Sequence, residues 1–136
     1  MKPLNVLVSC AGSQPGVAVI QALKSQTEIA VRVVAADMDP LSIGFLMADA
    51  RRLVPSARSP EFIPTVRKIC REEGIEVAFP IIDEELQPFA DHAAELEADG
   101  VRVVTNSAET VRYAKDKILT VERCRELGRF CPHRRE

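Results

Sequence analysis

Five times in 136 residues a short apolar run gives way to a helical pattern closed by a turn signal, and that alternation restricts the chain to one fold class. The apolar runs fall at residues 4–9, 31–36, 52–55, 75–79 and 101–104. In the first, Val6, Leu7 and Val8 are contiguous, as in strands covered on both faces. Five βα units in series give an α/β fold: a three-layer, Rossmann-like parallel sheet with helices on both faces and right-handed crossovers. At 136 residues, 46% hydrophobic and 28% charged, the chain suits one such domain without metal or disulfide staples.

The helices carry their own punctuation. Val17, Ile20 and Leu23 recur at helical spacing, and a short helical piece is expected over residues 42–48. Ser59-Pro60-Glu61 reads as a helix start, with Pro64 arguing for a later first turn. Phe62, Val66, Ile69 and Cys70 form its apolar face, and Gly74 stops it. Leu86, Phe89, Ala93 and Leu96 mark one further helix, which Pro88 places at a start near residues 85–87 and Gly100 closes. Asn106 with Glu109 suggests a capped short helix, and Asp116 caps a last one bearing Ile118, Val121, Cys124 and Leu127.

Parallel sheets of this kind bind ligands beyond the carboxyl ends of their strands. Four segments share that rim: residues 10–16, 37–42, 80–86 and 105–107. In the first, Cys10, Gly12 and Pro15 occupy the three positions of a G-x-G-x-x-G fingerprint, so only the middle one matches and Gly16 comes one residue late. Pro15 suits a first helical turn, capped by Ser13 or Gln14. The loop thus serves as a structural turn, as a small-anion or carboxylate contact, or as a degraded dinucleotide site. Asp37, ending the second strand, either binds a ribose hydroxyl or forms an Asx-turn in its own loop. Asp83 and Glu84 either complement a helix dipole or meet a cationic, amine-bearing substrate.

Other classes are disfavoured. A net charge of -2 and 4% aromatic residues leave no electrostatic or stacking basis for nucleic acid or an anionic membrane as partner. No segment approaches the roughly 20 apolar residues of a membrane span, and no signal peptide precedes the first strand, so a cytoplasmic location is expected. Cys10, Cys70, Cys124 and Cys131 form no C-x-x-C and are expected to be reduced, mostly buried small hydrophobes. His92 has no second ligand at helical spacing and reads as a surface residue; His133 lies in a basic tail, His133-Arg134-Arg135.

The order of four stretches carries more than any one of them. "NVLVSCAGSQPGVAVIQAL", "ADMDPLSIGFLMADARRLVPSARSPEFI", "EEGIEVAFPIIDEEL" and "YAKDKILTVERCRELG" resemble the N-terminal (pre-ATP-grasp) domain of ATP-grasp enzymes, nearest the carbamoyl-phosphate synthase large-chain group. The resemblance covers nearly the whole chain and is most specific at residues 83–86 and at Asp116-Lys117. It implies a ligase that uses ATP and Mg²⁺ to phosphorylate a carboxylate or bicarbonate, which an amine then captures.

On that resemblance residues 1–115 are the pre-ATP-grasp domain, and residues 116–136 begin a linker helix to a C-terminal ATP-grasp domain. It also implies that Gly12, Ser13 and Gln14 face the cleft with amides available to a carboxylate or phosphate. Asp83 and Glu84 line the opposite wall, and Lys117 reaches the nucleotide. The sequence departs from the family after the last helix, where "LGRFCPHRRE" replaces the usual Gly-Ile-Pro-x-Pro and the ATP-binding lysines and metal-binding acids do not appear. Residues 1–136 alone are therefore expected not to catalyse ligation. Two other readings stay open: an NAD(P)-binding oxidoreductase module, and a non-catalytic domain binding a small ligand or partner. An exposed sheet edge permits a homo-oligomer.

Overall fold

The computed structural model describes residues 2–129 and contains one five-stranded, wholly parallel sheet in the order β3-β2-β1-β4-β5. The strands are β1 (Leu4–Val8), β2 (Val31–Asp37), β3 (Ala50–Leu53), β4 (Val77–Phe79) and β5 (Arg102–Val103). The helices are α1 (Gln14–Ser25), α2 (Phe62–Glu73), α3 (Asp83–Asp91), α4 (Ala93–Ala98), α5 (Ala108–Lys115) and α6 (Lys117–Glu126), with a 3-10 turn at Ile43–Leu46. The expected three-layer α/β architecture is thereby realised. Cys131 and the His133-Arg134-Arg135 tail lie outside the described residues.

Period-two alternation divides the central strands between two cores. Leu7, Val34, Ala36 and Ala78 point toward α2, α3 and α4, where Phe62 meets Phe89 edge-to-face at 5.7 Å. Val6, Val8, Val33 and Ala35 point the other way, onto Ile20 of α1 and Phe45 of the 3-10 turn. Contiguous valines are therefore needed: each neighbour serves a different layer.

The structure moves several expected boundaries, each for a local reason. The third strand is Ala50–Leu53 rather than 52–55, because its register continues β2 only as far as the Asp37–Leu53 pair. Ser59 does not cap α2: its hydroxyl accepts from the Glu61 amide in a tight turn, and the helix begins at Phe62, leaving Pro64 in its first turn. The start expected at 85–87 falls at Asp83, because the amides of Glu85 and Leu86 bond the Ile82 carbonyl and nucleate the turn before Pro88 is reached.

The single helix expected through Leu96 breaks at His92, whose Nδ1 lies 2.9 Å from the Pro88 carbonyl, so α3 and α4 are separate. The α5 cap is Ser107 and not Asn106; its hydroxyl accepts from the Thr110 amide at 3.2 Å. Asp116 caps α6 as expected, accepting from Ile118 and Leu119. The apolar positions of α6 are not buried, Ile118 and Leu127 being more than half exposed. Cys70 is buried, whereas Cys10 and Cys124 are only partly so; all three are free thiols.

Candidate functional site

The strand order reverses direction between β1 and β4, and there the chains leaving neighbouring strands part and open a crevice. The β1 loop enters it through Cys10, which holds a left-handed φ of 45°. That turn brings Ser13 back over the loop. Its hydroxyl donates to the Cys10 carbonyl at 2.7 Å and accepts from the Gly16 amide at 3.1 Å, starting α1. A side chain at residue 16 would sit 2.5 Å from the Cys10 carbonyl, so Gly16 permits the close helix–strand approach that the third fingerprint glycine would give. The spacing is shifted by one residue and the packing function is kept.

The amides of this loop are largely spent within the chain. Gly12 N–H donates to Asp37 Oδ2 at 2.7 Å, and Ser13 N–H donates to the Cys10 carbonyl at 3.1 Å. The expectation that both amides await an anion is corrected accordingly, while Gln14 stands exposed at the first position of α1. Asp37 is 7% exposed and also accepts from Ser42 Oγ at 2.9 Å and from the Asp39 amide at 3.0 Å. It thus forms the Asx-turn of its own loop, and its carboxylate is committed where a ribose would need it. The 3-10 turn folds over the same loop: a Cβ on Gly44 would lie 2.3 Å from the Ala11 carbonyl.

Across the crevice stands the first turn of α3. Glu85 is 4% exposed, and its Oε2 lies 2.5 Å from Ser9 Oγ, at the end of β1. Burial pushes the Glu85 carboxyl above the ordinary value of 4.5, and nearby Asp37 adds to the rise against the lowering effect of Ser9. The Cys10 thiol is raised too, first by burial and then by the negative fields of Glu85 and Asp37. Between them lies a cavity of about 270 Å³ lined by Cys10, Asp37, Met38, Ile82, Glu84, Glu85 and the β3–α2 loop at residues 54–57. Three carboxylates and no lysine or arginine line it.

The expected rim therefore exists, with additions. The 54–57 loop was not among the four segments expected there, although a fifth parallel strand must end on the same edge. Glu85 and Ser9 were not singled out either; the signal was Phe89, which four residues on fixes Glu85 to the buried face of α3. Asp83 and Glu84 separate. Glu84 lines this cavity, and Asp83 lines a smaller one beside β5. Lys117, the exposed first residue of α6, lines neither. A larger groove of about 770 Å³ runs between α2 and the α3–α4 pair and shares Ala57 with the crevice. Two of its three arginines are paired, Arg67 with Glu95 at 2.6 Å and Asp99 at 2.7 Å, and Arg71 with Asp99 at 3.4 Å.

Among the described residues no three His, Cys, Asp or Glu side chains are grouped to hold a metal ion, so the Mg²⁺ implied by the resemblance finds no ligand set there. No helix among them is long and apolar enough to cross a membrane.

Fold and crevice together define a Rossmann-like α/β domain with an acidic crevice at its topological switch point. The profile of the PylC-like, N-terminal domain family matches residues 6–104, and the chain belongs to that family. The resemblance to N-terminal domains of ATP-grasp proteins is thereby borne out. No curated protein sequence matches the chain.

Several solved structures share the fold. The complete multifunctional pyruvate carboxylase from Rhizobium etli superposes with a TM-score of 0.66 at 16% identity, over 93% of this chain and 13% of that one. The biotin carboxylase domain of a single-chain bacterial carboxylase gives 0.65 at 18%, over 93% and 29%. The biotin carboxylase domain of Hydrogenobacter thermophilus 2-oxoglutarate carboxylase, crystallised with MgADP and bicarbonate, gives 0.65 at 19%, over 91% and 27%. This chain thus spans less than a third of each of these structures.

Proposed function

We propose that this chain is the substrate-side domain of an ATP-grasp ligase, in which ATP and Mg²⁺ activate a carboxylate or bicarbonate and an amine captures the product. The observation that carries the reading is the crevice between β1 and β4, where Asp37, Glu84 and Glu85 line a cavity without a compensating cation. Such a wall favours an ammonium group, which Glu84 can meet directly from the exposed first turn of α3. Once bound there, an amine held beside Glu84 has a carboxylate at hand to take its proton as it attacks.

The nucleotide and its metal belong to a C-terminal ATP-grasp domain, with residues 1–115 as the substrate domain and α6 as the start of the connection. Lys117 stands exposed at that junction and is assigned to the nucleotide, a cation suited to phosphate oxygens. Gln14 and the Gly12–Ser13 turn, which lie outside the residues lining the cavity, are assigned to the opposite lip of the assembled cleft. Asp83 is reassigned away from the amine. Residues 1–136 alone do not ligate on this reading, and the carbamoyl-phosphate synthase group supplies the reaction class only. A cytoplasmic location belongs to the same reading.

The test is ADP release by the gene's full product, supplied with ATP, Mg²⁺, bicarbonate or a carboxylate, and an amine. Glu84→Gln is expected to raise the KM for the amine about ten-fold, equivalent to about 1.4 kcal/mol, with little change in the KM for ATP. Lys117→Ala is expected to do the reverse. Turnover indifferent to both substitutions overturns the assignment.

A further inference from the structure

We propose that a second, smaller cavity, between the end of β5 and helices α3 and α5, is a binding site for a small zwitterion, separate from the crevice between β1 and β4. It measures about 180 Å³. Asp83, the first residue of α3, and Lys115, the last residue of α5, both line it. Neither is ion-paired among the described residues. The cavity therefore presents one negative and one positive group, each outside any ion pair among the described residues.

Successive helical residues point about 100° apart, which is why Asp83 opens here while Glu84 opens to the crevice. The α3 turn is thus a partition between two sites of different charge. One is wholly acidic, and the other is balanced.

Independent support comes from Thr105. It lines the same cavity, and its Oγ1 is closed off from solvent with no hydrogen-bond partner among the described residues. Buried hydroxyls are nearly always paired, and a turn of the side chain would bring this one to a group in the cavity. Asn106 and Thr110 add further polar groups to the wall, and Leu86, Val104 and Val111 supply an apolar floor for a short carbon chain.

The charges choose the ligand. A lone cation would be repelled by Lys115, and a phosphate by Asp83. A molecule with a carboxylate for Lys115 and an ammonium for Asp83 satisfies both. At about 30 Å³ per water, the volume equals about six water molecules, and so suits about six heavy atoms. A short amino acid has that size.

The probe is L-alanine, titrated into the isotope-labelled chain while amide NMR shifts are followed; propionate and ethylamine serve as half-ligands. Saturable shifts confined to Thr105, Asn106 and Lys115 are expected, with a Kd on the order of 1 mM. Each half-ligand should bind at least about ten-fold more weakly, and so should alanine to Asp83→Asn and to Lys115→Met. Absence of saturation, half-ligands as tight as alanine, or shifts elsewhere would overturn the proposal. The wild-type titration decides the matter even where a variant fails to fold. ATP and Glu84 play no part in it, so its failure leaves the ligase reading standing, and the reverse also holds.

Discussion

Removing the Ser9 hydroxyl perturbs the site at the contact that joins its two walls. Ser9 Oγ and Glu85 Oε2 lie 2.5 Å apart in a buried setting, and the hydroxyl also lies 3.2 Å from the Phe79 carbonyl. With Glu85 ionised, Ser9 donates to it; with Glu85 protonated, Glu85 donates to Ser9, and Ser9 donates to Phe79. Either state is satisfied, and Ser9→Ala leaves a carboxyl group buried without its partner. Hydrogen bonds to charged groups are worth about 1.5–3 kcal/mol, so a loss of about 2 kcal/mol is expected. For a domain of this size that lowers Tm by about 6–10 °C.

The pH dependence carries the sign. Burial raises the folded-state pKa of Glu85 above its ordinary value, so the native state holds this proton where the unfolded chain has lost it. The stabilisation from Glu85 is complete below the unfolded value of 4.5 and is lost as pH rises through the folded value. Glu85→Gln, which cannot ionise, should therefore compare worst with the wild type in acid and improve toward neutral pH. Urea unfolding of the three proteins across that range is the assay. A Ser9→Ala protein within about 0.5 kcal/mol of wild type, or a Glu85→Gln difference flat with pH, would refute the reasoning.

Gly44→Ala should destabilise by about 1–3 kcal/mol, because its methyl group would press on the Ala11 carbonyl; urea midpoints measure it. Asp116→Ala should remove the cap of α6 at a cost of about 1 kcal/mol confined to that helix, seen as faster amide exchange at Ile118 and Leu119. Glu73 is gripped by Arg32 and Arg52, and the Arg32 hydrogen bond leads in holding its carboxyl below the ordinary value. Its contribution is present above the unfolded value of 4.5 and lost as pH falls through the folded value, so the penalty of Glu73→Gln should shrink on acidification.

The layers were legible because contiguous valines and 3.6-residue periods can be satisfied in few ways. Asp37 was legible as far as its two alternatives, and only the Gly12 and Ser42 hydrogen bonds choose between them. Gly16 looked like an error in a fingerprint, because spacing does not reveal which carbonyl a helix must approach. The division of Asp83 from Glu84 depends on where α3 begins. Pro88 suggested one start, and the Ile82 carbonyl enforces another. The exposed apolar residues of α6 were unreadable for a different reason: periodicity reports a face and not what covers it.

The proposed function requires the acidic crevice at the junction of β1 and β4 to bind an amine. Titrating the isotope-labelled chain with n-butylamine, and with butyrate as the opposite charge, tests this most directly. Saturable amide shifts at Cys10, Met38, Ser56 and Glu84, weakened by salt and absent with butyrate, are the predicted result. Shifts confined to the α2–α3 groove, or equal responses to amine and butyrate, would contradict it.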